Sequence, residues 1–192
     1  MTELAKRRRA IMTAGKAGNQ ANYTIVGEPT ISGDIMTPNE TGWIKTPDVF
    51  NPLAETWQIT FSVNVYAGLN RAQNYITSSG IMVQSLNSGV KLYLRSTSGS
   101  GYDILSGGTS WAISLGKLWI RISYNGSTYT LQTSQDGVTW TSRQTKASNL
   151  QIRPGAISFG AKASNTEKVY ARYDLNDMEI IVGDTVWWKA LV

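Results

Sequence analysis

The chain contains no cysteine and no histidine. The first absence excludes a disulfide framework, a thiol nucleophile and a thiolate metal site, and it leaves the redox compartment unread. The second removes the commonest transition-metal ligand, the imidazole of Ser-His and Cys-His dyads, and any titration centred near neutral pH. Long apolar runs are also missing. Nothing approaches the roughly 20 residues of a membrane span, and Ile11-Met12 is too short for the core of a signal peptide. The expectation is a chain made in the cytoplasm, with no membrane partner and no cofactor.

What is present divides unevenly. Of 192 residues, the last 170 or so are compositionally even, enough for one domain that buries about 70% of its unfolded surface. Of the formal net charge of +5, nearly all lies in residues 1–18, where Lys6, Arg7, Arg8, Arg9 and Lys16 face only Glu3. This segment is the one helical stretch the sequence predicts. Thr2 can cap it, Glu3 favours its positive start, Leu4 to Ala14 are mostly good helix formers, and Gly15 and Gly18 stop it. A helix of about 12 residues, about 18 Å long, is marginal in water unless it docks on something. Leu4 and Ile11 stand seven apart on one face, with Arg8 between them and Met12 adjacent. That stripe suits a pocket or a small bundle, so residues 1–20 are expected to anchor the chain; a solvated tail is the alternative. An arm binding nucleic acid ranks below both, because the Arg run carries no interleaved aromatics.

From Tyr23 the period becomes two. In Trp57 to Tyr66 the odd positions from Trp57 to Val65 are large and apolar and the even ones mostly polar, as in a strand with one face in a core. Val90 to Arg95 repeats the pattern, and Tyr102 to Leu105 follows a Ser/Gly loop. Leu118 to Tyr124, Ser127 to Thr133 and Val138 to Arg143 read as a meander through the Asn125-Gly126 and Asp136-Gly137 turns, since both dipeptides accept positive φ. Ile157 to Gly160 and Ala171 to Val182 add strands. Residues 21–192 are therefore expected to form an all-β, antiparallel two-sheet sandwich preceded by a short N-terminal α-helix.

A resemblance rests on particular segments. Tyr23 to Ile31, Trp57 to Phe61, Tyr124 to Leu131, Ser134 to Trp140, and the closing Tyr173-Asp174-Leu175 with Val186-Trp187-Trp188 together resemble the concanavalin A-like lectin/glucanase superfamily. They are most similar to laminin-G-like jelly rolls of phage structural proteins. The resemblance covers residues 21–192 and implies a jelly roll whose concave sheet or rim loops often bind glycans. The start Leu4 to Met12 also resembles the attachment segments that precede such domains. Its motifs are structural and specify fold better than function.

Catalysis is not expected. The superfamily's glucanases carry Glu-x-Asp-x-x-Glu on one strand, and that motif is absent. Asp174, Asp177 and Glu179 form the nearest acidic cluster and read as turn or solvated-edge carboxylates. Ser134 to Trp140 resembles an Asp-box one residue short, so Asp136 is expected to accept turn hydrogen bonds and Trp140 to pack the hairpin. Scattered acids, with no EF-hand run, predict no metal.

Glycan recognition calls for aromatic stacking beside planar polar groups. The out-of-phase strand positions supply them: Asn64 and Tyr66 on one strand, Tyr93 and Arg95 on a second, Trp119 and Arg121 on a third, which align if the three share a sheet. An ordinary solvated or subunit-facing β face is an equal alternative. The expectation is a non-enzymatic phage virion protein, such as a head fibre, a capsid decoration or a tail-associated protein. Leu4, Arg7, Arg8, Arg9, Ile11 and Met12 would attach it to capsid, portal or tail, and the jelly roll would contact host-surface or mucosal glycans. Competing readings are a purely structural virion protein and a bacterial carbohydrate-binding module. A homo-oligomer, trimer or dimer, follows from the symmetry usual in virion appendages.

Overall fold

The computed structural model describes residues 23–52, 56–67, 73–86, 89–95, 97, 103–104, 114–147, 151–161 and 169–190. Among them there is no helix. The basic segment and its anchoring residues Leu4, Arg7, Arg8, Arg9, Ile11 and Met12 lie outside the described residues.

The strands are β1 (Thr24–Val26), β2 (Thr30–Ser32), β3 (Ile35–Thr37), β4 (Trp43–Lys45), β5 (Trp57–Val65), β6 (Gln73–Thr77), β7 (Ile81–Leu86), β8 (Gly89–Leu94), β9 (Asp103–Ile104), β10 (Gly116–Tyr124), β11 (Thr128–Ser134), β12 (Thr141–Ala147), β13 (Ser158–Phe159), β14 (Ala171–Val182) and β15 (Thr185–Lys189). They form two antiparallel sheets. The first runs β1-β4-β13-β6-β7-β8-β9, the second β12-β11-β10-β5-β14-β3-β2, with β15 also paired to β14. Sequence neighbours often sit in opposite sheets, so most of the pairing is long-range, as in a jelly roll.

Alternation explains the long strands. In β5, Trp57, Ile59, Phe61, Val63 and Val65 are all buried, while Asn64 is exposed. β10 does the same with Leu118, Ile120 and Ile122. These residues meet the first sheet's inner face, where Ile76, Val83, Leu92 and Phe159 are wholly buried. Phe61 of the second sheet meets Phe159 of the first edge-on at 5.8 Å, and Trp188 stacks on Phe159 at 5.5 Å. Each such side chain contributes about 1.5–3 kcal/mol through burial.

Polar ties cross the core where the sheets meet. Tyr173 Oη, on β14, donates to the carbonyl of Tyr75, on β6, at 2.7 Å. Burial pushes the Tyr173 hydroxyl well above its ordinary range, so it stays a neutral donor. At the opposite margin, the buried Gln144 of β12 accepts the amide of Leu92, on β8, at 2.8 Å.

The meander forms with shifted bounds, as Gly116–Tyr124, Thr128–Ser134 and Thr141–Ala147, and the largest shift is in the last strand. That strand begins at Thr141 rather than Val138. Asp136 Oδ1 accepts the amides of Val138 and Thr139 at 2.8 and 2.7 Å, which holds those residues in the turn and delays the ladder.

Candidate functional site

The outer face of the second sheet carries the residues that can recognise a ligand. β5 lies between β10 and β14. In register, Asn64 faces Lys117 on one side and Arg172 on the other, Ser62 faces Trp119 and Asp174, and Thr60 faces Arg121 and Glu179. Inward positions on these strands are apolar, so this row points away from the core.

At one end of the row, Tyr66 follows β5 and remains 44% exposed. Its ring meets Tyr170 edge-on at 6.2 Å, and the Arg172 guanidinium lies 5.4 Å from its centroid. Tyr66, Asn64 and Arg172 thus form an open patch of one aromatic and two planar polar groups. The ring is held in place by neighbours that leave part of it in water.

The middle of the row is a polar network. Lys117 Nζ binds Asp177 at 2.8 Å and Asp174 at 3.3 Å, and Ser62 Oγ donates to Asp177 Oδ2. Burial alone would lower the Lys117 pKa, but the bonds and charges of Asp177 and Asp174 together outweigh it and raise it. Asp177 reaches this face through an irregularity. β14 advances from Asp174 to Glu179 while β5 advances only from Ser62 to Thr60. The extra residues loop towards Asp34, whose carbonyl accepts the Leu175 amide and whose carboxylate accepts Asn176 Nδ2. The expectation of turn or solvated-edge carboxylates holds for Asp174, whose Oδ1 accepts the Asn176 amide at 3.2 Å, and is corrected for Asp177. Asp177 sits partly buried beside a central strand, tied to Lys117 and Ser62, and Glu179 pairs with Lys189 at 3.6 Å.

The other end is covered by the β11–β12 hairpin. Gly137 packs on the Trp119 indole, and the Arg121 guanidinium lies 3.7 Å from the Trp140 centroid. Lys117 Nζ stands 4.9 Å from the Trp119 ring. Burial lowers the Arg121 pKa, and its Nε has no hydrogen-bond partner, so stacking is what holds this guanidinium. Trp119 is therefore a half-buried prop for the hairpin, with its ring already in contact, and Trp140 packs as expected.

Tyr93 and Arg95 do not join this surface. The expected alignment of three strands in one sheet is corrected: β5 and β10 are neighbours in the second sheet, while β8 belongs to the first. β8 pairs locally with β7 through the short connection from Leu86 to Gly89, which commits it to that sheet. Tyr93 is 9% exposed, and burial raises its pKa. Lys117, Tyr170 and Arg172 were not singled out from the sequence. Only the outward parity of Lys117 and Arg172 could have signalled them.

The two antiparallel sheets and their long-range pairing define a jelly-roll sandwich. No protein-family model matches the chain, and no curated protein matches it in sequence. Among solved structures, the receptor binding domain of botulinum neurotoxin D is similar over 93% of this chain and 50% of that one, at 12% identity and a TM-score of 0.59. The chain therefore spans about half the length of that structure. The VIP36 exoplasmic/lumenal domain in its Ca2+/Man-bound form is similar over 88% of this chain and 90% of that one, at 10% identity and a TM-score of 0.56. A conserved carbohydrate esterase from the Shiga toxin-encoding bacteriophage phi24B is similar over 83% and 88%, at 10% identity and a TM-score of 0.50. At these identities the likeness is one of fold.

The VIP36 form carries calcium. Among the described residues of this chain no three acidic side chains converge to hold a metal ion, and the adjacent Asp174 and Asp177 already bind Lys117. Among the described residues, therefore, no acidic cluster fits a calcium site, which takes six or more oxygens.

Proposed function

We propose that this chain is a non-enzymatic phage virion protein, a head fibre, decoration or tail-associated component, whose jelly roll binds host-surface or mucosal glycans through the outer face of its second sheet. The observation that carries the reading is the Tyr66 patch: a part-exposed ring, fixed by Tyr170 and Arg172, beside the exposed amide of Asn64. A sugar ring can stack on Tyr66 while its hydroxyls bond to Asn64 and Arg172, the usual division between an apolar platform and orienting polar groups. The lectin-like fold neighbours, one of them from a phage, support the same class. Attachment to the particle is assigned to Leu4, Arg7, Arg8, Arg9, Ile11 and Met12, and assembly as a dimer or trimer belongs to the same proposal.

A glycan array with the purified chain tests it. Wild type should bind one glycan class, and Tyr66→Ala should weaken that binding about tenfold, the equivalent of one aromatic contact of about 1.4 kcal/mol. No binding by a folded wild-type chain would leave the structural virion role in its place. Deleting residues 1–18 should leave glycan binding intact and abolish incorporation into particles.

A further inference from the structure

The β11–β12 hairpin forms a second concave feature that the Tyr66 patch does not use. A cavity of about 220 Å3 opens there, lined by Thr133, Gln135, Asp136, Thr139, Thr141 and Arg143 together with Ser134 at the start of the turn. Every lining side chain is polar.

Its walls are fixed by bonds within the hairpin. Ser134 Oγ donates to Asp136 Oδ1 at 2.7 Å and accepts the Gly137 amide at 2.9 Å. Asp136 Oδ1 also takes the amides of Val138 and Thr139, and Arg143 Nε donates to Thr133 Oγ1 at 2.8 Å. The bonds from the Ser134 hydroxyl and the Val138 and Thr139 amides end on Oδ1, and the Thr139 hydroxyl also bonds to this carboxylate. The Thr139 amide, then the Ser134 hydroxyl and the Val138 amide, hold the Asp136 carboxyl far below its usual range.

The donor and acceptor set selects the ligand. An anion entering the cavity meets the Asp136 carboxylate. A divalent cation meets Arg143 and finds one carboxylate where it needs several oxygens. Groups that donate and accept equally well match a carboxylate, a guanidinium, an amide and several hydroxyls at once, and those groups are alcohols. We propose that this cavity binds one neutral hexose unit of a glycan. The ligand class rests on the carbohydrate reading above, but the surface is a different one.

Backbone amide shifts of the full chain test it, with methyl glucoside, galactoside and mannoside, a methyl sialoside and calcium chloride as separate probes. A neutral hexoside should move the amides of Gly137, Val138 and Thr139 with millimolar saturation. Thr133→Val and Arg143→Gln should weaken this about tenfold, while Tyr66→Ala leaves it unchanged. Because Thr133 and Arg143 also hold each other, Gln135→Ala is the second variant; its side chain is exposed, and it should weaken binding a few-fold with the hairpin intact. A response to the sialoside or calcium alone overturns the proposal. So does a hexoside that moves only the amides of Asn64, Tyr66 and Arg172, which leaves the outer-face function standing. Failure of the whole glycan array and of every hexoside overturns both readings.

Discussion

Gly137 lies against the indole of Trp119 so closely that a Cβ built on the glycine would stand 2.8 Å from Trp119 Cε2. This contact folds the β11–β12 hairpin down over the outer face of the second sheet. It requires a residue with no side chain, and the positive φ of 76° at Gly137 favours glycine independently.

Two alanine substitutions separate these requirements. Gly126, in the preceding hairpin, has φ of 93° but open space around the added carbon. Gly126→Ala should cost about 1 kcal/mol from backbone strain alone. Gly137→Ala adds overpacking against Trp119 and should cost about 2–4 kcal/mol. Urea unfolding of both variants checks this, and equal losses would mean that the hairpin does not press on Trp119.

Lys117 joins Asp174 and Asp177, which otherwise face each other on adjoining parts of β14. Its side chain is 45% exposed, so the pairing is screened and Lys117→Met should cost about 1 kcal/mol or less at neutral pH. The folded-state pKa of Lys117 is raised. Its contribution is therefore complete below the ordinary lysine value of about 10.5 and fades as the pH rises through the folded value. On the alkaline side of neutrality, wild type and Lys117→Met should converge in denaturant midpoint only in strong alkali. Convergence near neutral pH would show that the ion pairs contribute nothing.

Some of this architecture was legible in local sequence and some was not, for a physical reason. The alternation of Trp57 to Val65 named the buried face of β5 residue by residue, because strand periodicity is a property of the strand itself. Ser134-Gln135-Asp136-Gly137 named its own turn for the same reason. Whether Tyr93 stood beside Trp119 depended on which strands paired across the chain, and alternation does not carry that information. Spacing placed Asp177 and Glu179 on one face, and both lie on the outer face; what it missed is that Asp174, three residues from Asp177, joins them there, because the insertion between Asp174 and Glu179 shifts the register. Trp119 read correctly as outward. Its covering by Gly137 is a tertiary contact between a strand and a turn that follows it.

Asp136 gives the hairpin an acid-sensitive step. Its depressed folded-state pKa means that its contribution is present above the unfolded value of about 4 and is lost as the pH falls through the folded value. Asp136→Ala should lower the urea midpoint at neutral pH, with the gap to wild type closing progressively in acid. The carboxyl carbon of Asp136, followed by NMR, should show no titration midpoint near pH 4. A midpoint there would mean that the three bonds to Oδ1 do not persist in solution.

Gln144 closes the margin where the two sheets meet. Among the described residues β9 pairs with β8 at Tyr93 and Leu94, so the Leu92 amide lies beyond that short ladder, and Gln144 Oε1 receives it. Removing an acceptor from a buried amide costs about 1–3 kcal/mol, more than the bond is worth when both partners are changed together. Gln144→Leu keeps the side chain's length and apolar stem but loses the oxygen, so the loss should fall in that range. The Leu92 amide should also exchange with solvent deuterium faster than those of Val90 and Leu94 in the variant, and more slowly in wild type. Gln144→Glu restores an acceptor at the cost of burying a charge, so its deficit relative to wild type should widen with rising pH as the carboxyl ionises. A pH-independent deficit equal to that of Gln144→Leu would show that the Leu92 amide does not depend on this side chain.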